Sequence, residues 1–350
     1  MLPLPYPEPG GSIELLRPLL NLGDDELWIS FVAWVMACLN PRGPYPILIL
    51  QGEQGSAKST AARMAKALLD PDASPLRTPP ANDRELMIAA LHTWILAYDN
   101  LSGLERYLSD AICRLATGGG NRFRKLYTDS AEVLFTATRP VILNGIEDLT
   151  AREDLASRAI VLSLPSIPGG KRRREAELWE EFEAVRPLVL GALFDAVQAV
   201  LASRKKKMPA DLPRMADFAW WIIRAEPALP WEPGRFMATY ARSMANVAEE
   251  ALANDPVAAT LIQMLRAQKV ICKEPNELLE SLNTYASVPM QREAGWPRSP
   301  RGLTNKLSRL APHLRSAGII IERRKVGGHR LIEIRDDGAQ GAQDPETSCG

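Results

Sequence analysis

Lys58 and Ser59 are the residues whose setting most clearly implies chemistry. Residues 47–60 read Ile-Leu-Ile-Leu-Gln-Gly-Glu-Gln-Gly-Ser-Ala-Lys-Ser-Thr. The apolar run 47–50 fits a buried strand, and the pattern of 61–69 fits a helix. A glycine turn joins them. Glycines let successive backbone N–H groups converge on an anion, and the helix N-terminus adds its positive end. There Lys58 would reach the β- and γ-phosphates of a nucleotide, and the Ser59 hydroxyl would hold Mg2+. The expected cradle is Gly52, Glu53, Gln54, Gly55, Ser56, Ala57, Lys58, Ser59 and Thr60. It departs from G-x-x-x-x-G-K-[ST] at Ala57, which stands where a glycine belongs, although Gly55 adds backbone freedom. A chance turn before a lysine would not need the flanking strand and helix.

Three more residues fall at the ends or edges of apolar runs. Asp99 closes the run 93–98, the position of an acid that holds Mg2+ through water. It could also be an ordinary strand-end turn residue. Asn100 follows where many ATPases carry a glutamate; an amide can orient water but cannot accept its proton. The general base is therefore open among Glu53, Glu105 and Asp110. Asn144 ends the strand expected at 140–144, where its amide could bond a γ-phosphate or favour a turn before Gly145. Arg158 lies between a short acidic helix and the strand expected at 159–164. It could reach a neighbouring subunit's nucleotide, or pair with Glu153 or Asp154 at helical spacing.

Four apolar strands alternating with helical segments predict an α/β fold with a parallel sheet covered on both faces. A helix is expected from about Asp24 to Leu39, capped by its acids and stopped at Asn40-Pro41. Residues 118–136 read as a hairpin in which Arg122, Arg124 and Lys125 interleave with Phe123 and Tyr127. Such residues can grip phosphates and stack on bases, or can guard a sheet edge from aggregation. Past Pro165 the pattern turns helical. The basic runs 171–174 and 204–207 read as solvated helix ends.

The chain of 350 residues carries no formal net charge, so nucleic-acid affinity must come from a local patch. Residues 291–335 supply one: eleven Lys and Arg face three acids. Arg301, Lys306 and Arg309 would sit on or near a presented helix, and Arg323, Arg324 and Lys325 beside a two-stranded ribbon around Gly327-Gly328. That pattern is expected of a winged helix, which could bind DNA or a protein. The expected organisation is a helical segment at 1–45, a nucleotide-binding core at 46–165, a helical lid at 166–285, a winged helix at 286–335 and a disordered acidic tail at 336–350. Four separated cysteines predict reduced thiols, and scattered histidines give no zinc pattern. The N-terminus lacks signal-peptide order, and the longest apolar stretch, taken as 27–39, is too short to span a bilayer. A cytoplasmic protein without a membrane partner is expected.

The series formed by 52–59, Asp99-Asn100, the basic hairpin, Asn144 and Arg158 resembles AAA+ ATPases of the superfamily 3 helicase type, closest to phage and mobile-element ATPases akin to poxvirus-type primase-helicases. The resemblance covers about residues 20–165, and the C-terminal segment more loosely. It implies a P-loop AAA+ core, ATP and Mg2+ as cofactors, and a ring of identical subunits, expected to be a hexamer. It further implies Asn144 as the sensor, Arg158 as a trans-acting arginine and the hairpin as a DNA-gripping loop in the central channel. It implies DNA unwinding or translocation in phage or mobile-element replication, with any primase on a separate polypeptide. Arg214 is the candidate lid arginine. The alternative is a DNA-binding ATP switch, such as a helicase loader or regulator, which the missing acid at Asn100 would suit.

Overall fold

The computed structural model describes residues 2–119, 121–124, 132–135, 137–145, 149, 153–204, 209, 212–293 and 295–337, with only the backbone described for 121–124, 132–135 and 153. The chain divides into two compact units, 1–243 and 244–350.

In the first unit, a 3-10 segment (Ile13–Leu19) precedes α1 (Asp25–Cys38), β1 (Ile47–Gln51), α2 (Lys58–Leu69), α3 (Asp83–His92), β2 (Leu96–Leu101) and α4 (Arg106–Thr117). There follow β3 (Asn121–Arg124), β4 (Glu132–Phe135), β5 (Val141–Gly145), α5 (Glu153–Ala156), β6 (Ala159–Ser163), α6 (Glu175–Ala202) and α7 (Ala216–Ala225). Helix α8 (Arg235–Ala253) runs across the division. The four strands expected from apolar runs form one parallel sheet in the order β2-β5-β1-β6. Strand β1 sits between β5 and β6, with Leu50 opposite Asn144 and Ile47 opposite Ala159. Ile47–Leu50 and Val141–Leu143 are fully buried. That burial explains their near-continuous apolar sequence, which a sheet wet on one face would not need.

The helices that cover the sheet are anchored by polar handles. The Asp24 carboxylate caps α1 by accepting from Leu27 N at 2.8 Å, and Trp28 through Cys38 are buried around the whole helix. Trp34 Nε1 donates to Pro46 O at 2.8 Å, tying α1 to the start of β1. Trp221 Nε1 of α7 donates to Met36 O at 2.9 Å. These helices therefore share a core with the sheet, and residues 166–243 fall in the same compact unit.

The expectation about apolar length needs correcting. Helix α6 is long and apolar enough, by length and composition, to cross a membrane. Glu183, Arg186 and Asp195 interrupt its sequence, so no unbroken apolar run marks it. Phe182, Val189, Leu190, Leu193, Ala196 and Val200 are buried, and Arg186, also buried, donates to Ala67 O. One face of the helix is therefore packed within its own unit, while Phe194 and Leu201 are exposed. Cys38 and Cys113 are free and buried.

The second unit contains α9 (Pro256–Gln268), β7 (Val270–Lys273), α10 (Pro275–Tyr285), α11 (Val288–Arg292), α12 (Pro300–Ser316), β8 (Ile319–Val326) and β9 (His329–Asp336). Its strands form an antiparallel sheet in the order β7-β9-β8. Leu261, Met264, Leu278, Leu282, Leu303, Leu307, Leu314 and Ile334 share one core. So α9, β7 and α10, which precede residue 286, are packed with the helix and ribbon that follow it. Asp255 caps α9 through Val257 N and Ala258 N, and Ser299 caps α12 through Gly302 N.

Candidate nucleotide site

The site lies where β1 gives way to α2. Gly52 leaves the strand at φ 139°, and a Cβ there would stand 2.5 Å from Leu164 O. Only glycine fits. Gly55 follows at φ 84° and Ala57 at φ 65°, ψ 26°, before α2 starts at Lys58. Ala57 thus adopts the left-handed conformation for which the missing glycine is suited, at a cost of about 1 kcal/mol. Ala57→Gly is expected to raise thermal stability by about that amount without loss of nucleotide affinity, as read by melting and calorimetry.

Lys58 is 8% exposed. Its Nζ donates to Gly52 O at 2.7 Å and Glu53 O at 2.9 Å, and approaches Ser56 Oγ at 3.5 Å. The ammonium is held by the turn itself, with no carboxylate bound to it among the described residues. Burial lowers its pKa below the ordinary lysine value, against an upward pull from the Asp99 charge. A nearby phosphate would favour the charged form again.

Three elements converge beside it. Ser59 Oγ, in the first turn of α2, donates to Asp99 Oδ1 at 3.1 Å. Asn144 Nδ2, on β5 and almost fully buried, donates to Ser59 Oγ at 3.0 Å and also to Asp99 Oδ1. The parallel register brings these side chains together: Asn144 pairs with Leu50 immediately before the turn. Strand β2 is irregular between Tyr98 and Leu101, and Asn100 takes φ 58° there. Bulges of this kind re-aim side chains beside functional sites. A pocket of about 360 Å³ is lined by the turn together with Asp99, Asn100 and Asn144.

Among the described residues no group of three His, Cys, Asp or Glu could hold a metal ion. Mg2+ commonly binds through one or two protein oxygens and keeps the remaining positions for phosphates and water. One hydroxyl and one carboxylate, Ser59 and Asp99, fit that demand.

The other expected residues are dispersed. Arg158 immediately precedes β6, at the end of the sheet away from Lys58, because Ile47 pairs with Ala159 and Gln51 with Ser163. Five strand residues separate the two ends by about 16 Å. Arg158 donates to Asp154 through both its backbone and side-chain oxygens. Arg214 joins the same cluster, donating to Ser157 Oγ at 2.6 Å and Asp154 Oδ1 at 3.3 Å. Burial raises the Asp154 carboxyl, but the Arg158 hydrogen bond and the charges of Arg158 and Arg214 hold it below its ordinary value. Arg214 is thus a neighbour of Arg158 in this chain. In the hairpin, Arg122 pairs in register with Leu134 and Arg124 with Glu132, while Lys125 and Tyr127 lie outside the described residues.

The C-terminal cations separate into two groups. Lys306 is paired with Asp255. Arg323 donates to Thr304 O at 3.2 Å and to Ser308. Arg324 meets Glu322 at 3.0 Å and Glu333 at 2.9 Å. Arg301, Arg309 and Lys325 are exposed and have no hydrogen bond or ion pair among the described residues. Arg330, opposite Lys325 across the ribbon, is exposed as well. Charge along the sequence cannot separate paired cations from available ones.

Fold and site together define a class: an α/β protein with a nucleoside-triphosphatase-like parallel sheet and a glycine turn at a central strand's end. Residues 13–248 match the family of actinomycete integrative conjugative element replication proteins, and residues 257–346 match the AICE RepA C-terminal domain. The chain belongs to this family of mobile-element replication proteins. No curated protein matches it. "The A form apo structure of NrS-1 C terminal region-CTR" shares 13% identity, covering 96% of this chain and 79% of that one at a TM-score of 0.45. "The apo structure of NrS-1 C terminal region (305-718)" shares 14%, covering 95% and 79% at 0.43.

Proposed function

We propose that this replication protein is a Mg2+-dependent ATPase that assembles into a ring, a hexamer on the resemblance, and moves along DNA to unwind it. The observation that carries the reading is the meeting of Lys58, Ser59, Asp99 and Asn144 at one end of the parallel sheet. Lys58 and the turn N–H groups would bind the phosphates. Ser59 and Asp99 would hold Mg2+, which when bound neutralises phosphate charge. Asn144 orients the Ser59–Asp99 pair, and would donate to a γ-phosphate oxygen by giving up one of those two bonds. Arg158 cannot reach the Lys58 site of its own chain, so its proposed role is in a neighbour's site. Leaving Asp154 for a phosphate would exchange one anion for another.

The C-terminal unit supports a DNA-binding role. Its order of helix, strand, two main helices and two strands, with a basic ribbon, supports the winged-helix reading, and Arg301 and Arg309 are available on α12. Arg301→Glu with Arg309→Glu is expected to weaken duplex binding across sequences. It should also flatten the salt dependence by roughly one unit of slope for each phosphate no longer neutralised, measured by anisotropy. Lys306→Ala, which removes a partner of Asp255, should leave that slope nearly unchanged.

Asn100 favours a second reading, a DNA-bound ATP switch. It lines the pocket and cannot accept a proton from water. Strand displacement separates the readings. ATP-dependent unwinding supports the motor, whereas nucleotide-dependent DNA binding without unwinding supports the switch.

A further inference from the structure

A second pocket, of about 580 Å³, adjoins the first and shares Gly55, Ala57 and Thr60 with it. Asp99 and Asn144 do not line it. Its walls come from the chain before α1, including Pro18 and Leu20, and from the segment after β6, including Ile167 and Leu178. Asn21 closes one edge, donating to Ser56 O at 3.1 Å and Pro165 O at 2.6 Å. A volume in this range suits a small ligand, and the mixed apolar wall suits a nucleoside.

The basic run 171–174, expected to be solvated, borders this pocket. Arg173 pairs with Glu181 and Arg174 with Glu177, while Glu175 pairs with Arg63. Arg172 has no hydrogen bond or ion pair among the described residues. Its Nη2 lies 3.2 Å from where a Cβ on Gly55 would stand, so a side chain at 55 would obstruct it. A guanidinium is thereby brought against a turn and a helix N-terminus that are themselves electropositive. Glu175, the acid among the residues lining this pocket, is paired with Arg63, so no described acid pairs with Arg172 and an anion would suit it.

We propose that Arg172 binds the phosphates nearest the nucleoside, the diphosphate part common to ATP and ADP, from the pocket that Asp99 does not line. This rests on the nucleotide-binding reading above and adds a residue and a discrimination to it. Because the γ-phosphate side belongs to Asp99 and Asn144, Arg172 grips both nucleotides alike.

Calorimetry of the full chain with Mg-ATP and with Mg-ADP tests this for wild type, Arg172→Ala and Lys171→Ala. Arg172→Ala is expected to weaken both nucleotides by the same factor, about tenfold or more. Lys171→Ala, which removes an adjacent charge that does not approach Gly55, should weaken them much less. Arg172 is exposed, so the melting temperature of the ligand-free variant should match wild type. Unchanged affinity, equal losses in both variants, or a loss confined to ATP would each overturn the assignment while wild-type binding persists. If wild type binds neither nucleotide, the nucleotide reading and the Arg172 assignment fail together.

Discussion

Lys58→Ala is expected to reduce ATP hydrolysis by about a hundredfold or more, the scale on which removing one preorganised donor acts. The side chain is buried against carbonyls of its own turn, so its truncation would remove the ammonium proposed to bind the phosphates. The fold should tolerate the change, because the lysine makes no ion pair among the described residues and its hydrogen bonds go to oxygens of its own turn. The check is a steady-state phosphate-release assay paired with melting of the ligand-free protein. Wild-type turnover in this variant would remove the turn from the mechanism.

Arg158→Ala has the next largest expected effect, and a different signature. Nucleotide affinity should persist, since Lys58, Ser59 and Asp99 are untouched, while hydrolysis falls by about three orders of magnitude, as for other arginines supplied in trans. Mixing it with Lys58→Ala should restore part of the activity. In mixed rings some interfaces would combine an intact Lys58 site with an intact Arg158 from the adjacent subunit. A mixture no more active than its components, in assemblies shown to be mixed, would contradict a trans role. It would leave Arg158 as the partner of Asp154 that the single chain displays.

The phosphate turn was legible because its strand, glycines and helix lie within fourteen consecutive residues and each signal is local. Asn144 was legible near a strand end; Asp99, expected to close a strand, instead lies within β2, which runs on irregularly to Leu101, and the parallel register brings both to Ser59. The alanine at 57 reads as a departure from the motif, yet the backbone holds the left-handed conformation that the motif requires there.

Features that depend on distant pairing were not legible. Strand β7 is four residues long, and its partner β9 lies some sixty residues further on, so the extent of the C-terminal core is invisible to local patterning. The same holds for the convergence of Arg158 and Arg214 on Asp154. Arg172 was hidden in a charge run whose other members include short-range ion pairs, and only the space left by Gly55 distinguishes it.

The most direct test of a nucleotide site at the β1–α2 turn is calorimetric titration of the purified chain with ATP, in the presence and absence of Mg2+. Saturable heat at one site per chain is expected, tighter with the metal and lost in Lys58→Ala. An absence of heat at saturating nucleotide, from a protein that melts cooperatively, would contradict it.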